Sequence, residues 1–307
     1  MTLQQLQYVV ALDNHRHYVK AAESCHVAQP TLTLQVKKLE EQVGLLLFDR
    51  SKQPLTPTPM GKKFILKARQ ILRDVEQLKT MVSDDRNEIS GTFRLGIIPT
   101  LSQYLLPLFL KEFTALYPDT RLEIKEMQSE EMINTLTNGT LDLGLMATPS
   151  GDEQIREIPI FYEPFMVYAH KDHEIMQCGQ VTPDDLKREG LWLLNEGHCF
   201  RNQVLEICEL RSYHQNISFE SGSIETLKRL IPHTNGYTLI PELSYLQVLD
   251  HEFVREFQEP KPAREISLVV HKSFTKELLL ANLRKTIQHN IPEHFQKANR
   301  FITVKWR

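Results

Sequence analysis

Residues 27–44 read VAQPTLTLQVKKLEEQVG. Leu32, Val36, Leu39 and Val43 fall at i, i+4, i+7 and i+11, the spacing of one buried stripe on a helix. Gln29, Thr33 and Lys37 recur every fourth residue on another face, which is polar and partly basic. Pro30 suits a first helical turn, where no N–H bond is lost, and leaves the helix N-terminus free to approach a phosphate or a base edge. A helix of this kind fits the major groove of DNA. Upstream, Leu3, Leu6, Val9, Val10 and Leu12 predict an earlier amphipathic helix, and Val19, Ala21 and Ala22 begin a short second one ending near Cys25 and His26.

The charge distribution sets this region apart from the rest of the chain. Residues 1–73 carry 11 Lys+Arg against 5 Asp+Glu, and the remaining residues 25 against 34, so a net charge of −3 conceals +6 followed by −9. A basic head on an acidic body predicts a polyanion-binding domain joined to one that binds something else, the alternative being an ordinary solvated face. At 307 residues the chain is long enough for two or three domains. With 41% hydrophobic and 24% charged residues it reads as globular, not disordered or collagenous. No apolar run reaches the roughly 18 residues of a membrane span, and Met1–His15 lacks a secretory pattern, so a cytoplasmic, membrane-free protein is expected. Four cysteines, Cys25, Cys178, Cys199 and Cys208, are too few and scattered for a disulfide scaffold.

Beyond Gly61, the residues Phe64, Ala68, Ile71, Val75, Leu78 and Val82 alternate spacings of four and three, a coiled-coil seam along which two copies would pair. This linker should end near Asp84–Glu88. From Gly91 the pattern changes. Phe93, Leu95 and Ile97 predict a strand, Pro99-Thr100 a turn and Leu101–Leu116 a helix. Leu122 and Ile124 mark a second strand, Ser129–Leu136 a helix and Leu141–Met146 a third strand. Further strands are expected near Glu163–Ala169, Leu191–Leu194, Ile217–Glu220, Tyr237–Ile240, Phe253–Phe257 and Ile266–His271, together giving a parallel sheet covered by helices.

The head resembles the winged helix-turn-helix of the LysR-type transcriptional regulators. The resemblance runs through Lys20-Ala21-Ala22, Val27–Thr33, Leu39-Glu40, Gly44, Leu47-Phe48-Asp49-Arg50 and Leu55–Gly61. His17-Tyr18-Val19 departs from the family's small-aromatic-small pattern. The body resembles the family's effector domain through Arg94-Leu95-Gly96-Ile97, Asn138–Gly144 and Gly236–Pro241. The resemblance implies an α/β chain: a winged helix-turn-helix at 1–60, a dimerising linker helix at 61–88 and a regulatory domain at 91–307, built like a periplasmic binding protein. Its subdomain one would comprise 91–162 with 266–307, and subdomain two 163–265. By analogy Gln29, Thr31, Thr33 and Gln35 would face bases, and Lys37, Lys38 and Arg50 phosphates. Promoter DNA, RNA polymerase and a homodimer, itself pairing into a homotetramer, are the implied partners.

One loop, Asn195–Gln203, carries chemistry. Phe200, Val204, Ile207 and Cys208 follow helical spacing, which puts Cys199 at a helix N-terminus and Cys208 near its end. A helix N-terminus and His198 favour a thiolate at Cys199. By themselves, two such cysteines are more often inert buried thiols. Gly197–Gln203 followed by Cys208 resembles, however, the loop of the peroxide-sensing branch of the LysR family. That likeness implies that Cys199 attacks hydrogen peroxide, that Cys208 captures the sulfenic acid as an intramolecular disulfide, and that a cellular thiol reductant resets it. It also implies that Thr100, Ser129, His198, Gln203 and Arg264 form the peroxide pocket. Ser129 stands where Thr is usual, and Asn202 where Asp is common.

No compact metal-ligand spacing and no phosphate-binding glycine loop occurs, so neither a metal nor another cofactor is expected. The expected function is a peroxide-responsive, DNA-binding regulator of oxidative-stress genes, not an enzyme. Two readings compete: a regulator taking a small metabolite in the cleft with structural cysteines, and a turnover thiol peroxidase.

Overall fold

The computed structural model describes residues 1–84, 89–186, 190–209, 217–246 and 251–307. The chain divides into two compact units, residues 1–87 and 88–307.

In the first unit α1 (Leu3–His15), α2 (Tyr18–Ser24) and α3 (Gln29–Val43) pack around Leu6, Val9, Leu12, Leu32, Val36 and Leu39. Thr2 and Gln5 cap α1 reciprocally, each side chain meeting the other's backbone N–H. Gly44 ends α3 in the left-handed region at φ +68°. A two-stranded wing follows, β1 (Phe48–Asp49) against β2 (Thr56–Pro57). Its base is held by the buried Glu40, which accepts the N–H groups of Leu47 at 2.8 Å and Phe48 at 3.3 Å. The long α4 (Pro59–Asp84) then departs. A Cβ at Gly61 would lie 1.9 Å from the Leu47 carbonyl oxygen, so only glycine lets α4 start this close to the wing.

The seam along α4 divides its work. Ala68 is buried in this unit's core, with Phe64 and Ile71 packed against it, whereas Leu78 is 65% exposed. The first half of the stripe thus docks on its own domain, while Leu78 farther along is open to solvent. The side chain of Val82 and the linker's expected end at 85–88 lie outside the described residues.

The second unit contains β3 (Gly91–Ile97), α5 (Pro99–Leu116), β4 (Thr120–Glu126), α6 (Ser129–Thr137), β5 (Leu143–Thr148) and β6 (Ile155–Ala169). Next come β7 (Leu191–Leu194), α7 (Cys199–Ile207), β8 (Ile217–Ser221), α8 (Ile224–Leu230), β9 (Tyr237–Pro241) and α9 (Glu242–Tyr245). The chain finishes with β10 (Val254–Glu256), β11 (Lys261–His271), α10 (Glu277–Asn290) and β12 (Phe301–Thr303). Strand order is β4-β3-β5-β11-β6-β9-β7-β8.

The expected parallel sheet is in fact mixed. Parallel pairs occur on each flank, β4/β3/β5 and β9/β7/β8, while β5/β11, β11/β6 and β6/β9 are antiparallel. Strands β6 and β11 are also much longer than their apolar cores suggested, starting at Ile155 and Lys261 instead of Glu163 and Ile266. They are the two crossings between the α/β halves, and each half has its own core. One is built on Leu95, Phe109, Leu145 and Leu283, the other on Val167, Leu193, Leu227 and Leu239. Pro99 and Thr100 form the first turn of α5 instead of a preceding turn. Strand β5 starts at Leu143, two residues late, because Asp142 turns aside to bind Arg94.

Gly44→Ala should destabilise the first unit by about 1–2 kcal/mol, the cost of a left-handed alanine. Gly61→Ala should cost more, about 3 kcal/mol, because its clash is with backbone. Urea unfolding followed by circular dichroism checks this order.

Candidate functional site

Three helix N-termini meet at one crevice: α5 brings Pro99 and Thr100, α6 brings Ser129, and α7 brings Cys199. Ile98, Gln128, Gly197 and His198 complete the lining of about 180 Å³. The site lies beyond the C-terminal ends of β3, β4 and β7, where open α/β sheets place ligands. It has no clearance for a water-sized sphere, so a molecule enters only when side chains shift. Gly197 sits at φ +93°, and a Cβ there would come within 2.5 Å of the Gln128 side chain.

Cys199 is 4% exposed and its thiol is free. Burial pushes the thiol pKa up; the Ser129 hydroxyl, the Arg264 charge and the backbone N–H groups of Phe200 and Cys199 pull it down without overcoming that effect. The expectation that a helix N-terminus makes a ready thiolate is therefore corrected, since desolvation dominates in this closed state. Cys208, at the C-terminal cap of α7, is pushed up to about 12 by burial with nothing opposing it. Of these two thiols, only Cys199 has groups beside it that stabilise its anion. Burial pushes His198 down against the upward pull of Glu126, which favours the neutral imidazole.

The two thiols belong to different cores. Cys199 packs with the first half, while Cys208, Phe200, Val204 and Ile207 pack with the second. Arg201 fastens the first turn of α7, donating to the Leu194 carbonyl at 2.7 Å and pairing with Glu220 at 2.9 Å. The far side of α7 is held by the C-terminal segment. Gln203 Nε2 donates to the Val304 carbonyl at 2.8 Å, and Asn202 Nδ2 to that of Trp306 at 3.2 Å. The Trp306 indole in turn donates to the Ala147 carbonyl at 3.0 Å.

Of the expected pocket residues, Thr100, Ser129 and His198 line the crevice with Cys199. Gln203 does not; its amide is directed to the C-terminal segment, and its Oε1 is buried without a partner. Ser129 Oγ is likewise buried and makes no complete hydrogen bond among the described residues. Arg264 stands behind the crevice wall, donating to Thr100 Oγ1 at 2.7 Å and to the Thr100 carbonyl at 3.0 Å. Its guanidinium lies 5.1 Å from the Phe200 ring centre and pairs with Glu163 at 2.7 Å, both side chains being 0% exposed. Glu163 was not singled out from sequence. A carboxylate inside the apolar run Phe161–Ala169 was the available signal. Among the described residues no group of three or more His, Cys, Asp or Glu is placed to hold a metal.

On α3, Gln29, Thr31, Lys37 and Lys38 are exposed. Thr33 donates back to the Gln29 carbonyl at 2.9 Å. Two expected DNA contacts are already engaged within the domain. Gln35 accepts from Gln5 at 3.2 Å, and Arg50 binds the buried Glu40 at 2.6 Å while remaining half-exposed. Arg50 thereby anchors the wing in addition to any contact with phosphate.

Comparison with known proteins places both units. Residues 3–62 match the model of the bacterial regulatory helix-turn-helix protein of the lysR family, and residues 86–291 that of the LysR substrate binding domain. The hydrogen peroxide-inducible genes activator of Haemophilus influenzae is 34% identical over 88% of this chain and 90% of its own length. Full-length OxyR C199D from Pseudomonas aeruginosa superposes with a TM-score of 0.82 at 31% identity, covering 94% of this chain and 95% of that one. An H2O2-bound OxyR mutant from Corynebacterium glutamicum gives 0.62 at 27% identity, over 94% of each chain. Among the described residues no helix is long and apolar enough to cross a membrane. With a helix-turn-helix head, a two-lobed α/β body and relatives matched along nearly its whole length, this chain belongs to the LysR family of transcriptional regulators.

Proposed function

We propose that this regulator senses hydrogen peroxide through Cys199 and Cys208 and passes the signal to promoter DNA. The observation that carries the reading is the pairing of a buried thiol at a helix N-terminus with a second thiol at the other end of that helix, in a different core. The Cys199 thiolate attacks one peroxide oxygen, the O–O bond breaks, and hydroxide leaves, giving a sulfenic acid. Cys208 then displaces water from that sulfenic acid to form the disulfide. Thr100 and Ser129 offer hydroxyls to the peroxide, and neutral His198 is available to exchange a proton.

Nine residues of helix separate the sulfurs' positions by about 13.5 Å of rise, whereas a disulfide needs Cα atoms within about 7 Å. Closing the bond therefore unwinds α7, extracts a thiol from its core and breaks the hydrogen bonds from Asn202 and Gln203 to the C-terminal segment.

In this reading Gln29, Thr31 and Thr33 of α3 reach base edges, with Lys37, Lys38 and Arg50 toward phosphates. Two copies pair along the later half of α4, dimers join as a tetramer, RNA polymerase is the downstream partner, and a cytoplasmic thiol reductant restores the resting state. The thiols act as a switch, not as a turnover site.

Brief exposure to near-stoichiometric peroxide should link Cys199 to Cys208 selectively by thiol-resolved mass spectrometry. Cys208→Ser should stop at the sulfenic acid, and Cys199→Ser should leave Cys208 reduced. Unreacted thiols in the unaltered protein would overturn the reading. Because burial raises the Cys199 pKa, its oxidation rate should still be rising with pH between pH 7 and 9. Ser129→Ala, by removing a group that lowers that pKa, should slow the reaction at pH 7. Trp192 and Trp306 are the two tryptophans, so in a Trp192→Phe background oxidation should shift Trp306 emission to the red as its partner Asn202 departs. An unchanged spectrum in fully disulfide-linked protein would show that the C-terminal segment stays in place.

A further inference from the structure

Glu163 and Arg264 are direct cross-strand partners on β6 and β11, at the point where β6 passes from one core to the other. Each donor of Arg264 can be followed. Nε donates to Glu163 Oε2 at 2.8 Å, and Nη2 reaches the same oxygen at 2.7 Å as well as the Thr100 carbonyl. Nη1 donates to Thr100 Oγ1. A guanidinium has five N–H hydrogens, so one hydrogen on Nη1 has no acceptor among the described residues. It belongs to the nitrogen bonded to a crevice-lining side chain. Glu163 is itself fixed, since its other oxygen accepts the Leu243 N–H at 3.1 Å. The result is a rigid relay from the α9 backbone through Glu163 and Arg264 to the crevice wall.

If charge alone mattered, this carboxylate would be counterproductive. Arg264 favours the Cys199 thiolate, and a buried negative charge against the guanidinium offsets that field. What Glu163 supplies is direction, by fixing the plane of the guanidinium with charge-assisted hydrogen bonds. We propose that Glu163 is a positioning residue: it aims the remaining Nη1 hydrogen of Arg264 at the peroxide oxygen that leaves as hydroxide when Cys199 takes the other. The electron pair of the broken O–O bond departs with that oxygen, Arg264 stabilises it by hydrogen bonding without giving up its proton, and a solvent proton completes water. This inference rests on the peroxide reading above.

The test compares two rates on full-length protein. Alkylation of Cys199 by iodoacetamide across pH reports the thiolate alone, whereas oxidation by peroxide also requires the aimed donor. Glu163→Gln removes the charge and one of the two anchors. It should leave alkylation unchanged or faster, with a lower apparent pKa, while peroxide oxidation falls on the order of tenfold or more. Glu163→Asp keeps the charge but is one methylene short of spanning Leu243 and Arg264. It should alkylate like the unaltered protein and still lose peroxide reactivity. Parallel changes in both rates, or no change in either, would overturn the positioning role. So would loss of the fold in both variants by circular dichroism, which would assign Glu163 to the core. The unaltered protein separates the two ideas: if its Cys199 ignores peroxide, the sensing reading itself fails.

Discussion

A salt bridge with both partners sealed from water, Glu163 to Arg264, ties together the elements around the crevice. Burying two charges costs several kcal/mol for each ion, and such a pair persists only when the remaining hydrogen-bonding capacity is well met. Here the Leu243 N–H, the Thr100 hydroxyl and the Thr100 carbonyl meet all of it but one Nη1 hydrogen, and the Phe200 ring lies alongside the guanidinium. The pair joins β6, β11, α5, α7 and α9 at the junction of two cores. Its value lies in specifying one arrangement, because any relaxation strands a buried charge.

Against this fixed centre stands a helix whose two ends belong to different cores. Packed cores rearrange between discrete states instead of deforming gradually. A bond between Cys199 and Cys208 cannot form by a small adjustment of α7, so thiol oxidation in this fold would be read as an all-or-none event. Burial also explains restraint at rest. Both thiols have raised pKa values, and only Cys199 is surrounded by groups that act against the rise. The C-terminal segment adds a second hold on α7 through carbonyl groups, whose hydrogen bonds are lost as soon as Asn202 and Gln203 leave helical register.

The DNA-binding unit follows a similar logic on a smaller scale. Glu40, buried at the end of α3, accepts two wing N–H groups and Arg50, so a helix that reads polar on one face also fixes the geometry of the wing. An arginine expected to contact phosphate thereby has structural work. Half of the predicted coiled-coil stripe on α4 is likewise used within its own domain, at Ala68, Phe64 and Ile71. Periodicity registers an apolar face but does not say whose surface covers it.

Local patterns in the sequence determined the three helices of the head, the strand-helix alternation of the body, the position of Cys199 at a helix start and of Cys208 at its end. Each depends on interactions within a few residues, which 3.6- and 2-residue periods record. The resemblance of the motifs then gave the family. Tertiary structure decided what depends on distant residues. It decided the antiparallel crossing strands, the hold of Val304 and Trp306 on α7 across 101 and 104 residues, and the Thr100–Arg264 contact across 164. It also decided that Cys199 is desolvated, since burial is a property of everything packed around a group. Glu163 shows the division most plainly: a charged residue in an apolar strand is visible in one dimension, but its partner lies 101 residues away.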